Sequence, residues 1–153
     1  MKKFKFKLET LLKVTRMKRE DAEVAFADAA RQLEEARQQL DEMLADMQRS
    51  QKRFDELTQA GAKLPMERIV SYHSFFQYKR LQIENQNQVV LQRRGERQKR
   101  LQELMDIMSY LKSIEQLRER KLQEYKDAAM HEEQKVLDEL GQQLVMRRKG
   151  AAV

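Results

Sequence analysis

Hydrophobic positions recur over the first part of the chain in alternating steps of four and three residues. From Leu8 the series runs through Leu12, Thr15, Arg19, Ala22, Phe26, Ala29, Leu33, Ala36, Leu40, Met43, Met47, Ser50, Phe54 and Leu57, and it is apolar except at Thr15, Arg19 and Ser50. Such steps keep a side chain on one stripe of a helix, and a stripe held this long specifies a coiled-coil seam. Leu12, Phe26, Leu33, Leu40, Met47 and Phe54 are large, while Ala22, Ala29, Ala36 and Ser50 are small. A partner helix can therefore approach closely at the small residues.

The pattern stops at Thr58-Gln59-Ala60-Gly61-Ala62-Lys63-Leu64-Pro65, which holds the only proline of the chain. Glycine just past a helix end with proline soon after marks a stop and a restart. The phase resumes with Ile69, Tyr72, Phe76, Lys79, Ile83, Gln86 and Val90, fades through 92–100 around Gly95, and returns at Leu101, Leu104, Met108 and Leu111. It continues less regularly through Ile114, Leu117 or Arg118, Leu122, Tyr125, Ala129, Val136, Leu140 and Leu144. The pattern predicts one all-α domain, a long two-helix antiparallel coiled-coil hairpin. Helix one is expected over about 4–58, the turn over about 59–66 and helix two over about 67–147.

At 1.5 Å per residue helix one is roughly 80 Å long and helix two roughly 120 Å. Folding about the turn sets the start of helix one level with residues near 120. Roughly the last 25 residues of helix two then lack a partner within the chain, although they remain periodically apolar. Such a face points to a binding partner.

Composition agrees with this reading. Charged residues make up 37% of the 153-residue chain and the hydrophobic set 41%, with 31 basic and 25 acidic residues finely mixed. The abundant Gln, Glu, Leu, Lys, Arg and Ala lose little on entering a helix. Cysteine is absent, which removes disulfide and thiolate chemistry. No run approaches the ~18 apolar residues of a membrane span, and Met1-Lys2-Lys3-Phe4-Lys5-Phe6-Lys7 lacks the apolar core of a signal peptide. A cytoplasmic location is expected.

Catalytic chemistry is not legible. Gly61, Gly95, Gly141 and Gly150 are isolated from one another, whereas a phosphate loop needs clustered glycines. His131-Glu132-Glu133-Gln134-Lys135 starts like a helical zinc motif, but Lys135 stands where the second ligand belongs. The expectation is a non-enzyme with no cofactor and no metal.

Four features invite a binding role. Lys2, Lys3, Lys5 and Lys7 interleave with Phe4, Phe6 and Leu8, which suits either an anionic lipid surface or the start of the helix stripe. Arg93 to Arg100 is basic, but the hairpin sets it opposite 25–35, near Glu23, Asp28, Glu34 and Glu35, so pairing within the chain is expected and nucleic acid is not. Tyr72, Phe75, Phe76 and Tyr78 cluster just after the turn. Tyr72 and Phe76 can face the seam while Phe75 and Tyr78 point elsewhere, either as a partner-binding patch or as a locally broadened core. Met43, Met47, Met105 and Met108 have seam spacing and are expected as core filler.

Three stretches together resemble the FliJ family of the bacterial flagellar export apparatus. They are Phe4-Lys5-Phe6-Lys7-Leu8-Glu9-Thr10-Leu11-Leu12 with Arg16 following, Tyr72-His73-Ser74-Phe75 after the turn, and Glu133-Gln134-Lys135-Val136-Leu137-Asp138-Glu139. Their order and spacing match over almost the whole chain. The resemblance implies a stalk-like coiled coil that contacts the hexameric export ATPase and its regulator, promotes ring assembly, links the ring to the membrane export gate protein and handles export chaperones. It also implies peripheral association with the inner face of the cell membrane through that apparatus.

Tyr72 and Phe75 fall on the family's aromatic positions, whereas Lys79 departs from the pattern by replacing an apolar residue expected one turn on, within the patch that the resemblance assigns to the gate. Glu133, Gln134, Lys135, Asp138 and Glu139 match the family's late motif. The alternatives are an injectisome stalk, a generic coiled-coil scaffold whose seams pair between chains, and a basic nucleic-acid-binding rod. The hairpin reading expects a monomer when free.

Overall fold

The computed structural model describes residues 2–59, 61 and 63–152. Two helices account for nearly all of them: α1, Glu9–Gln59, and the longer α2, Met66–Ala151. They pack against each other as an antiparallel hairpin, and no strand occurs among the described residues.

Local chemistry sets the helix ends. At the end of α1 the Thr58 hydroxyl donates to the carbonyls of Phe54, at 3.1 Å, and Asp55, at 3.0 Å. Gly61 follows in the left-handed region with φ of 67°, a conformation that a Cβ opposes. Ala60 and Ala62 lie outside the described residues. The Pro65 carbonyl then accepts from the amides of Arg68, at 3.0 Å, and Ile69, at 3.3 Å, and so closes the first turn of α2. Glu67 in that first turn, and Arg148 and Lys149 in the last, complement the helix dipole.

Two sets of residues form packed units, 2–19 with 107–152, and Glu20–Asp106. In the first, Leu12, fully buried, packs with Leu111 and Ile114, and Phe6 and Leu11 lie against them. Each buried leucine or isoleucine is worth about 1.5–3 kcal/mol by removal of apolar area from water. Arg16 pairs with Glu115 at 3.5 Å, and Arg118 pairs with Glu9 at 3.2 Å. In the second unit Leu33, Ala36 and Val90 form the core, with Leu40 and Val89 against them.

The seam of α1 is buried or half-buried at every position from Leu12 to Leu57, its polar members included. Buried Thr15 satisfies its hydroxyl by donating to the Leu11 carbonyl at 2.7 Å. Buried Gln86 donates its amide to the Ala36 carbonyl at 2.9 Å and to Gln39 Oε1 at 3.3 Å. That bond ties the two helices at one register, because a slip would leave the amide buried without an acceptor.

Three details differ from the expectations. First, α1 begins at Glu9 rather than near residue 4. Residues 2–6 are not helical, and the Glu9 amide donates to the Phe6 carbonyl at 3.2 Å across a short turn. Lys-Phe-Lys-Phe-Lys has a period of two, which suits an extended chain with one face covered. Second, Met108 is 48% exposed and Met105 55%. Half-buried Ile107 takes the seam position instead, and only Met43 and Met47 act as core filler.

Third, the seam thins at 92–95, which are exposed, but half-buried polar residues carry it on from Glu96 to Arg100. Within Glu20–Asp106 the Arg97 guanidinium lies 5.2 Å from the centre of the Phe26 ring, and Arg93 donates to Gln32 Oε1 at 2.6 Å. Arg100 pairs within its own helix, with Glu96 at 3.1 Å and Glu103 at 3.2 Å. Asp28 and Glu35, expected to face these bases, pair with Arg31 on α1. The basic run does lie across from helix one, where a ring receives Arg97 and an amide receives Arg93.

Candidate partner-binding surfaces

The aromatic cluster after the turn divides as helical periodicity requires. Tyr72 is half-buried and Phe76 buried, and both pack on Phe54 of α1, with ring centres 5.1 Å and 6.0 Å away. Phe75 sits edge-on to Phe76 at 5.8 Å and stays 37% exposed, while Tyr78 is 58% exposed. The Tyr78 hydroxyl accepts from the Gln82 amide at 2.8 Å. A shallow hollow beside these rings is lined by Ser50, Arg53, Arg68, Ser71, Tyr72 and Phe75.

Lys79, the departure from the family's pattern, places its ammonium 5.7 Å from the Phe75 ring. That contact is a cation–π interaction worth about 0.5–1 kcal/mol at an exposed site. The patch is thus core on one side and open on the other. Its open side offers an aromatic edge and a cation, chemistry suited to an apolar peptide segment carrying an acidic group.

The non-helical lead before α1 forms a strap on α2. Phe4 packs on Tyr125 with ring centres 5.6 Å apart, and the Arg118 guanidinium lies 5.8 Å from the Phe4 ring. The Tyr125 hydroxyl donates to the Lys2 carbonyl at 2.7 Å. Phe4 and Phe6 are half-buried, whereas Lys2, Lys3, Lys5 and Lys7 are exposed. The strap and α2 enclose a hollow lined by Phe4, Phe6, Leu8, Leu117 and Lys121, among others. The rings therefore face the protein, and neither ring opens the helix stripe. Sequence reasoning missed the role of Tyr125 and Arg118; the period-two alternation of the lead was the available signal.

The late motif lies on bare helix. Glu133, Gln134, Lys135, Asp138 and Glu139 are exposed, as is every residue from Met130 to Ala152. The exposed apolar members of this stretch are Met130, Val136, Leu137, Leu140, Leu144, Val145 and Met146. No group of three or more metal-ligating side chains occurs among the described residues. No helix among them is long and apolar enough to cross a membrane.

A family model described as the flagellar FliJ protein matches residues 4–150. The chain belongs to the FliJ family. The match takes in the strap rings Phe4 and Phe6, both helices almost to their ends, the turn and the late motif. FliJ membership makes this a flagellar protein associated with export. No curated protein and no solved structure matches the chain.

Proposed function

We propose that this FliJ-family chain is the central-stalk-like coiled coil of the flagellar export apparatus. In this reading it binds the hexameric export ATPase with its regulator, promotes assembly of the ring, and links the ring to the membrane export gate protein and to export chaperones. The observation that carries the proposal is the bare continuation of α2. A hairpin whose seam is satisfied within the chain keeps one long helical stretch, with a charged exterior and a narrow apolar stripe, free for another protein.

A charged exterior with only a narrow apolar stripe suits a rod within a ring, because each subunit then makes modest, repeated contacts. A large apolar interface would hold the rod in one position. The exposed Phe75 and Tyr78, with Lys79 beside them, are the surface proposed for the gate protein. Glu133, Gln134, Lys135, Asp138 and Glu139 are proposed for the ring. Association with the membrane is then indirect, through the apparatus.

Mixing the purified chain with the export ATPase is the test. The expected outcome is more hexameric ring in sedimentation and faster ATP hydrolysis. An ATPase unchanged in both would overturn the proposal.

A further inference from the structure

Within 130–151 the apolar stripe and the charges are arranged about a common centre. Leu137 and Leu140 lie on one side of it, and Gly141 and Leu144 on the other. When this helix is set antiparallel to a copy of itself with Leu140 level with Gly141, Leu137 comes level with Leu144. Arg147, Arg148 and Lys149 of each copy then lie level with Gln134, Glu133 and Glu132 of the other. A parallel pairing would instead set Glu132 and Glu133 against themselves and the basic run against itself, which is repulsive. Beyond the helix's own adjoining backbone, nothing lies within 4 Å of where a Cβ on Gly141 would sit, so a partner can approach closely there. The groove beside it is lined by Leu137, Gly141, Val145 and Met146 with Asp138 and Lys149 at its rim.

From this self-complementarity we infer that the bare end of α2 is a site for a second copy of this chain, paired antiparallel through Leu137, Leu140 and Leu144 and oriented by Arg147–Lys149 against Glu132 and Glu133. The paired segment is short, and coiled-coil segments of about three heptads are marginal alone. Association is therefore reversible and concentration-dependent, and the expectation of a monomer holds only at high dilution. The pairing needs no export component. A chain so paired has covered the face that the proposed stalk role presents to the ring, so ring entry and self-pairing compete.

Sedimentation velocity of the full chain over a wide concentration range tests this. The apparent mass should rise from that of one chain to that of two, and Leu140→Asp should hold it at one. Reversing one side, as Arg147→Glu with Arg148→Glu and Lys149→Glu, should weaken pairing about tenfold, as should Glu132→Lys with Glu133→Lys. An equimolar mixture of the two charge variants should pair as well as the original chain. Rising salt should weaken the pairing.

A mass that stays at one chain throughout would overturn the inference, as would growth beyond two. So would charge variants that pair normally, a mixture that is not restored, or pairing strengthened by salt. All the altered side chains are exposed, and circular dichroism checks that the helix persists. If Leu140→Asp loses helix, the charge variants decide alone.

Discussion

Two stretches of the same helix, 107–129 and 130–151 of α2, contrast in what holds them. Both are periodically apolar. In the first, Leu111 and Ile114 are buried against Leu12, Arg118 pairs with Glu9 and Tyr125 meets Phe4. In the second, every residue is exposed. An apolar stripe therefore records that something covers a helix, without saying whether the cover lies in the same chain. The first stretch draws its stability from packing. The second relies on propensity and the basic residues of its last turn, the weak terms of helix formation.

The largest expected difference comes from making one substitution in both stretches. Leu111→Ala should cost about 2–5 kcal/mol by leaving a cavity beside Leu12 and Ile114. Leu140→Ala, measured in dilute solution, should stay within about 0.5 kcal/mol. Urea denaturation of both variants checks the contrast. Equal losses would mean that the bare stretch is packed after all.

A smaller effect separates the helical glycines. Gly95 and Gly141 both have open space around the position of a Cβ, so alanine fits at either. Gly95→Ala, within the paired part of the hairpin, should raise unfolding stability by about 0.8–1 kcal/mol through helix propensity alone. Gly141→Ala should leave the denaturation midpoint of the dilute chain unchanged and slow amide hydrogen exchange only in its own neighbourhood. Exchange over 130–151 should be faster than over 107–129 in every variant.

The smallest effect concerns the ion pair that closes the packed stretch. Glu9 and Arg118 have side chains 40% and 37% exposed, so screening discounts their attraction. Glu9→Gln should cost at most about 1 kcal/mol at low salt. The difference should vanish at about 1 M salt, where the screening length is about 3 Å. Thermal unfolding at two salt concentrations measures it.

Much of the fold was legible because a seam is a one-dimensional signal. The series from Leu12 to Leu57 is covered throughout, and the Gly61 and Pro65 punctuation falls between the helices. What escaped is chemistry that the apolar pattern does not encode. Arg97 fills a seam position with a guanidinium on Phe26, so the break in hydrophobicity is wider than the break in packing at 92–95. Ile107 and Met108 are equally apolar neighbours, and only the phase of the partner's stripe chooses between them. Phe4 and Phe6 lie in extended rather than helical backbone, since the helical phase does not reach into their period-two segment. Of the candidate surfaces, Phe75 and Tyr78 could be separated from Tyr72 and Phe76 by spacing alone. What touches Glu133 to Glu139 is not written in spacing.

The strap has a spectroscopic consequence. The chain has four tyrosines and no tryptophan, so its near-ultraviolet absorption and intrinsic emission are governed by phenol rings. Tyr125 is the one packed at a tilt on Phe4 with its hydroxyl donating to the strap backbone. Undocking of the strap is thus recorded by a native chromophore, and Tyr125→Phe subtracts that signal while leaving a ring in place to pack against Phe4.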